Sequence, residues 1–468
     1  MARSTNFRRN HSNKKYEMVP PDGGWGFVIT IAVALTCIVG IVPASVFGAV
    51  FGPFLASLGD ETSATTLITG VFNTTLFLSG LPANHLLQKY TYRMVGLFGA
   101  VILFVGTFLT IYANSVAYMV CTYCIQGIGF GLMFPSVMSA FNEYFRSKQT
   151  VMMSLVQVMI GSAGIIWPTI TSKLLQEYGF RGTAMVFSAF ALNGILAMLT
   201  LQPAKWHYKR KEISEEERLM FVQNPETPGD NQEFALERKT SEEQRKESSD
   251  IDKIDSTYGK EEVKIRKSIV QALDLDLFKD PVYVNLSIGT AMALTSDVLF
   301  LYIIPALLES YGFEKSNLTF VLTIFFTADL IGKVLLGIAG AVFQIPSRYI
   351  VLVGSMFVIT LRIAYTLHSS FWWITILSAM LALLRCTIQT TFPLVFSERY
   401  GNRFPTAFSL FMVVCGVVSL LAGLLSGVVK KLTGSDTMVV HLLTFMYACC
   451  TIPWGIELCI ERLSKKGV

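Results

Sequence analysis

"MVGLFGAVILFVGTFLTIYANSVAYMVCTYCIQGIGFGLMFPSVMSAFN", Met94 to Asn142, contains no charged residue. A helix needs about 20 apolar residues to cross the ~30 Å hydrocarbon core of a bilayer. The stretch is therefore long enough for two crossings, with Tyr112 to Ser115 ("YANS") as the turn between them. Gly23 to Gly59 and Phe404 to Val429 are likewise free of charge. Over all 468 residues, hydrophobic side chains make up 52% and charged ones 15%, and the mean hydropathy is +0.51. Apolar residues gathered into such runs, not spaced as core faces, exclude an ordinary soluble chain.

Counting runs predicts an all-α membrane protein of about twelve transmembrane helices in two six-helix halves. The expected spans are about 25–50, 64–86, 94–112, 116–140, 150–172, 181–201, 281–308, 317–341, 349–368, 371–396, 405–429 and 438–460. Residues 1–23 form a polar tail, 24–201 and 281–461 the two bundles, and 462–468 a short second tail. Between the bundles, residues 202–280 carry "EISEEERLM", "ERKTSEEQRKESSD" and "GKEEVKIRK", dense in both charge signs and without an apolar face. Such a segment cannot bury enough surface to fold alone and reads as a disordered or weakly helical linker.

Lys and Arg in the short loops set the orientation. With the N-terminus inside, the cytoplasmic side receives Arg8, Arg9, Lys14, Lys15, Lys89, Arg93, Arg146, Lys148, Arg348, Arg399, Arg403 and Arg462, among others. The opposite side receives Lys173, Arg181, Lys315, Lys430 and Lys431. Both termini and the linker are thus expected in the cytoplasm, and the net charge of +5 reflects loop placement, not nucleic-acid binding. No signal peptide is expected before the first span, because the first twenty residues are polar and basic. The eight cysteines lie in or beside apolar runs, where they act as small hydrophobes. They imply neither a disulfide framework nor a metal site, and no cofactor is expected.

Ionisable residues inside a span are costly and therefore informative. Four cannot easily reach an interface: Asp297 in "MALTSDVLFLY", Asp329 and Lys333 in "FFTADLIGKVLLG", and Arg385 in "LALLRCTIQTTF". Helix rise places Asp329 about 18 Å and Arg385 about 20 Å from the outer ends of their spans, near the midplane. Asp329 and Lys333 are also i,i+4, on one helical face. The group either neutralises itself and holds helices together, or receives an anionic substrate while Asp329 exchanges a proton or releases the cation. Arg362 reads as structural, and His441 and Glu457 lie near span ends.

Two six-span halves joined by a polar linker suggest a rocking-bundle transporter with its site between the halves. The tight loop "NHLLQKYTYRMVG", Asn84 to Gly96, resembles the loop signature of the major facilitator superfamily. "PPDGGWGF", Pro20 to Phe27, resembles the first-span signature of its monocarboxylate transporter branch, acid-Gly-Gly-Trp-Gly-Trp, with Phe27 in the last place. "YFRSKQTVMMSLVQVMIGSAG", Tyr144 to Gly164, resembles the branch's fifth-span signature, with Met, Val and Gln at most of the small-residue places. "YGFRGTAMVFSAFALNG" and "GNRFPTAFSLFMVV" are also similar to family sequences. The resemblance implies a major facilitator fold in the plasma membrane. It also implies an eighth-span acid and, four residues on, a basic partner; Asp329 and Lys333 stand there, with Lys in place of the family's Arg. Where proton-coupled members have a lysine after a first-span proline, this chain has Ala44 after Pro43, and Arg385 is a compensating cation from another helix.

The expected function is transport of an organic monocarboxylate, or a related amphipathic acid, by alternating access, with proton coupling open. Substrate and proton contacts are assigned to Asp329, Arg385, Lys333 and Asp297. Expected partners are the small acid, protons, lipid and, as the resemblance implies for some members, a single-span immunoglobulin-like glycoprotein. The rival is a transporter-like receptor or scaffold without flux. An enzyme or ATP-driven pump is disfavoured, since the sequence has no GxxxxGK[ST] phosphate loop.

Overall fold

Three of the described helices begin where the sequence offers a side-chain oxygen to the first turn. The hydroxyls of Thr91 and Ser115 accept from the N–H groups of Met94 and Tyr118. The Asp280 carboxylate accepts from Val282 N, and Pro281 has its φ already fixed for a first helical turn. The computed structural model describes residues 16–45, 61–212, 275–343 and 345–466. Its first half holds α1 (Trp25–Ser45), α2 (Glu61–Leu78), α3 (Gly80–Lys89), α4 (Tyr92–Thr110), α5 (Val116–Tyr144) and α6 (Gln149–Leu199). The second holds α7 (Pro281–Ser310), α8 (Lys315–Val342), α9 (Ser347–Tyr365), α10 (Phe371–Tyr400), α11 (Phe404–Thr433) and α12 (Asp436–Lys466).

Among the described residues, eight helical runs are long and apolar enough to cross a bilayer. Two of them, Gln149–Leu199 and Phe371–Thr433, hold two crossings each; α1 and the α2–α3 pair bring the number to twelve. The second crossing is broken at Ser79, where Pro82 cannot donate back to Leu78. In α6 the break is Gly179, whose φ of 63° and ψ of −169° no ordinary residue adopts without strain, so its two arms are the fifth and sixth crossings. The expected end of the first span at residue 50 lies outside the described residues. Large apolar side chains point outward along the helices, as at Met94 (59% exposed) and Leu424 (62%), a surface suited to lipid and not to water.

Small residues let backbones approach. A Cβ on Gly99 of α4 would meet Gly129 O of α5 at 2.7 Å, and one on Gly129 would meet Leu103 N at 2.4 Å, so glycines let α4 and α5 pack closely. Between the halves, α8 lies along the first arm of α6, and α11 lies along α2 and α3. Phe134 of α5 meets Phe408 of α11 at 5.6 Å between ring centres. Hydrogen bonds also cross the interface: Asn142 Nδ2 donates to Gly401 O (3.3 Å), and Gln149 Nε2 to Ser397 Oγ (2.9 Å). These tie together the loops that carry Arg146, Lys148, Arg399 and Arg403, here termed the basic face.

Residues 16–25 are built into that face. An acid and a tryptophan at the start of a span would suit a helix cap and a lipid-interface anchor. Instead the Asp22 carboxylate accepts from the backbone N–H groups of Arg146 (2.8 Å) and Ser147 (3.1 Å), at the head of α6. Trp25 Nε1 donates to Thr200 O at 3.1 Å, and its ring stacks on His207 at 5.6 Å. The hydroxyls of Tyr92 and Tyr144 both donate to Gln202 O. Beyond them β1 (Tyr16–Val19) pairs antiparallel with β2 (Lys209–Glu212), Tyr16 opposite Glu212. The segment expected to be a disordered linker from residue 202 is thus ordered through Glu212 and again from Leu275. Residues 213–274, which hold most of its charge, lie outside the described residues.

Candidate substrate site

A turn-and-a-bit of helix puts Lys333 above Asp329 on α8, and Lys333 Nζ donates to Asp329 Oδ2 at 2.7 Å. The guanidinium of Arg385 reaches across from α10. Its Nε donates to Asp297 Oδ2 of α7 at 2.6 Å, and its Nη1 lies 3.8 Å from Asp329 Oδ1. All four residues predicted from the sequence therefore meet in one cluster, joining α7, α8 and α10 near mid-helix. Asp329 pairs with Lys333, and the shorter contact of Arg385 is with Asp297. The Phe325 ring lies 5.8 Å from Arg385 Cζ and closes one side.

Unit charges 4 Å apart attract by about 4 kcal/mol at an effective dielectric constant near 20. That attraction offsets desolvation only where the geometry is good and the remaining oxygens are bonded. Asp297 gains a second donor, since Oδ2 also accepts from Gln389 Nε2 at 3.0 Å. Asp329 does not: its Oδ1 is buried and accepts no hydrogen bond, and the 3.8 Å contact with Arg385 is too long to be one. Arg385 has the most accessible side chain of the four, at 11%. The cluster thus has one partly exposed cation, Arg385, and a buried carboxylate oxygen, Asp329 Oδ1, that accepts no hydrogen bond.

The first half of the chain touches the cluster. Gln157 Nε2 of α6 donates to Gln389 O at 3.2 Å, so one residue links Asp297 to the opposite half. A Cβ on Gly161 would lie 3.6 Å from Lys333 Nζ. Sequence reading missed Gln157 and Gln389 because an uncharged amide carries no cost signal in an apolar run. Arg362, read from the sequence as structural, is 1% exposed beside the same cluster. Its Nη1 donates at 2.6 Å to Ser296 Oγ, the neighbour of Asp297. Glu457, near the end of α12, pairs instead with Arg348 at 2.7 Å and Asn285 at 2.5 Å, away from the cluster. Among the described residues no group of three His, Cys, Asp or Glu could hold a metal.

The model of the Major Facilitator Superfamily matches residues 29–423. The chain belongs to the major facilitator superfamily. It is a multi-pass membrane protein of a transporter family, not an enzyme family. Monocarboxylate transporter 9 of Mus musculus is 23% identical over 436 residues, covering 85% of each chain. Monocarboxylate transporter 13 of Bos taurus is 22% identical over 189 residues, which are 40% of this chain and 44% of that protein. With the transporter 13 relatives, then, the similarity spans less than half the length of each. The superfamily fold is matched by the crystal structure of the transporter FucP in the outward conformation, at a TM-score of 0.63 and 12% identity. That match covers 92% of this chain and 99% of FucP.

Proposed function

We propose that this superfamily member carries an organic monocarboxylate, or a related amphipathic acid, across the plasma membrane by alternating access. Arg385 receives the carboxylate. The supporting observation is the shared guanidinium: Arg385 bonds Asp297 at 2.6 Å but only approaches Asp329, whose Oδ1 stays unbonded. A substrate carboxylate offers Arg385 a bidentate partner in place of a single contact on each side. Asp329 then retains Lys333, and its open Oδ1 is where a proton would reside.

Gln389 and Gln157 connect this exchange to the interface of the halves, because the group that bonds Asp297 is itself held by α6. The inter-half bonds at Asn142, Gln149 and Ser397 lie on the basic face, so the halves close there. We assign that face to the cytoplasm from its arginines and lysines, with both termini on the same side. The similarity to proteins named monocarboxylate transporters agrees with the acid class. The single-span immunoglobulin-like partner remains a proposal of family resemblance.

The test is uptake by proteoliposomes of a labelled acid panel (lactate, pyruvate, aromatic amino acids, larger carboxylates), with and without an imposed pH gradient. Saturable uptake of at least one acid is expected. A folded, reconstituted protein that moves none would favour the receptor reading.

A further inference from the structure

Arg362 of α9 is a buried cation without a carboxylate. Its guanidinium lies between the rings of Phe300 (4.3 Å) and Tyr447 (4.7 Å) and forms no ion pair among the described residues. Nη1 donates to Ser296 Oγ at 2.6 Å and Nη2 reaches Ser296 O at 3.4 Å, while Nε has no hydrogen-bond partner. Arginine does not shed its proton in a protein, so this charge persists. Aromatic faces offset only part of the cost of burying it. The charged groups that act on it are Asp297, which attracts, and Arg385, which repels. Ser296 holds it one residue from Asp297, and is itself fixed by donating to Leu443 O at 2.6 Å.

We propose that Arg362 is the reserve counter-ion of Asp297. When a substrate carboxylate draws Arg385 away, Arg362 takes up Asp297 and keeps it ionised. The inference rests on the carboxylate role given to Arg385 above. The buried set of Asp297, Asp329, Lys333, Arg385 and Arg362 sums to one positive charge, which a single carboxylate neutralises. An acid at Asp297 that lost Arg385 without replacement would have to take a proton, and the set would no longer match the anion. The groups acting on Asp297 are Arg385 and Gln389 from α10, Arg362 from α9 and Tyr447 from α12, while Asp329 and Lys333 from α8 meet the same Arg385 or each other. Arg362 is therefore a positioning residue: it acts on substrate through Asp297.

Dicyclohexylcarbodiimide, which modifies protonated carboxyls in apolar surroundings, reads the state of Asp297 without any flux. Purified full-length protein in lipid nanodiscs is labelled at pH 7, and the Asp297 and Asp329 peptides are quantified by mass spectrometry. Arg385→Gln stands in for the loss of Arg385 to substrate. Asp297 in that variant should stay as poorly modified as in the unaltered protein. In Arg385→Gln/Arg362→Gln its modification should rise on the order of tenfold, as for a one-unit change in protonation. Arg385→Gln/Arg362→Lys should return it to the low level. Arg362→Met, which fills the slot between the rings without charge, replaces Arg362→Gln if that protein does not purify. Strong modification of Asp297 in Arg385→Gln alone, or none in the uncharged double variant, overturns the proposal. A protein that moves no acid would still decide the point, so the two readings fail separately.

Discussion

Arg385→Gln removes a side chain that reaches both Asp297 and Asp329. It deletes the 2.6 Å contact with Asp297 and the 3.8 Å approach to Asp329. Truncating one partner of a buried charge pair costs about 3–5 kcal/mol when the other is left alone. Here neither acid is left alone: Gln389 still donates to Asp297 and Lys333 to Asp329. The lower end of that range, about 3 kcal/mol, is the appropriate figure for the lost carboxylate contact. At 1.4 kcal/mol per factor of ten, the affinity for a transported acid should fall about a hundredfold. Initial uptake rates into proteoliposomes, measured at several acid concentrations, report this as a raised KM. Thermal unfolding of the purified variant in detergent controls for folding. Uptake within about twofold of the unaltered protein, from a variant that unfolds normally, would remove Arg385 from the substrate path.

Arg385→Lys keeps the charge but loses the fork that reaches two acids, and should weaken uptake about tenfold, between the unaltered protein and Arg385→Gln in the same assay. Asp329→Asn should abolish any stimulation of uptake by a pH gradient while leaving counterflow exchange of labelled acid intact; persistent stimulation would place the proton elsewhere. Gly161→Ala should be tolerated, because its Cβ meets Lys333 Nζ at an ordinary 3.6 Å, whereas Gly161→Leu should lower uptake by displacing that ammonium. Asp22→Ala removes two charge-assisted bonds to backbone N–H groups and should destabilise the protein by about 2 kcal/mol in thermal unfolding, without changing KM.

The crossings were legible because lipid imposes a crude requirement, about twenty apolar residues in a row. The four clustered charges were legible for the related reason that a charge in such a run has no cheap explanation. Their pairing was not. Asp329 and Lys333 share a face on one helix, which spacing alone gives, but Arg385 chooses Asp297 through the packing of α7 against α10. Arg362 reads as structural because it lies in the outer half of the ninth span; only the fold brings it beside Ser296. The place of Trp25 was not legible either. An aromatic at a span end fits the interfacial belt, and nothing local reveals that residues 200–207 return to cover it. Ala44 lies in the last turn of α1, and the residues after it, 46–60, lie outside the described residues.

The central claim is that the cluster recognises a carboxylate. The most direct measurement compares uptake of a labelled monocarboxylic acid with uptake of its neutral amide, in proteoliposomes of the purified protein. Saturable uptake of the acid is predicted, with the amide neither carried nor competing at equal concentration. An amide carried as well as its acid would contradict the claim, because Arg385 would then contribute nothing to selection.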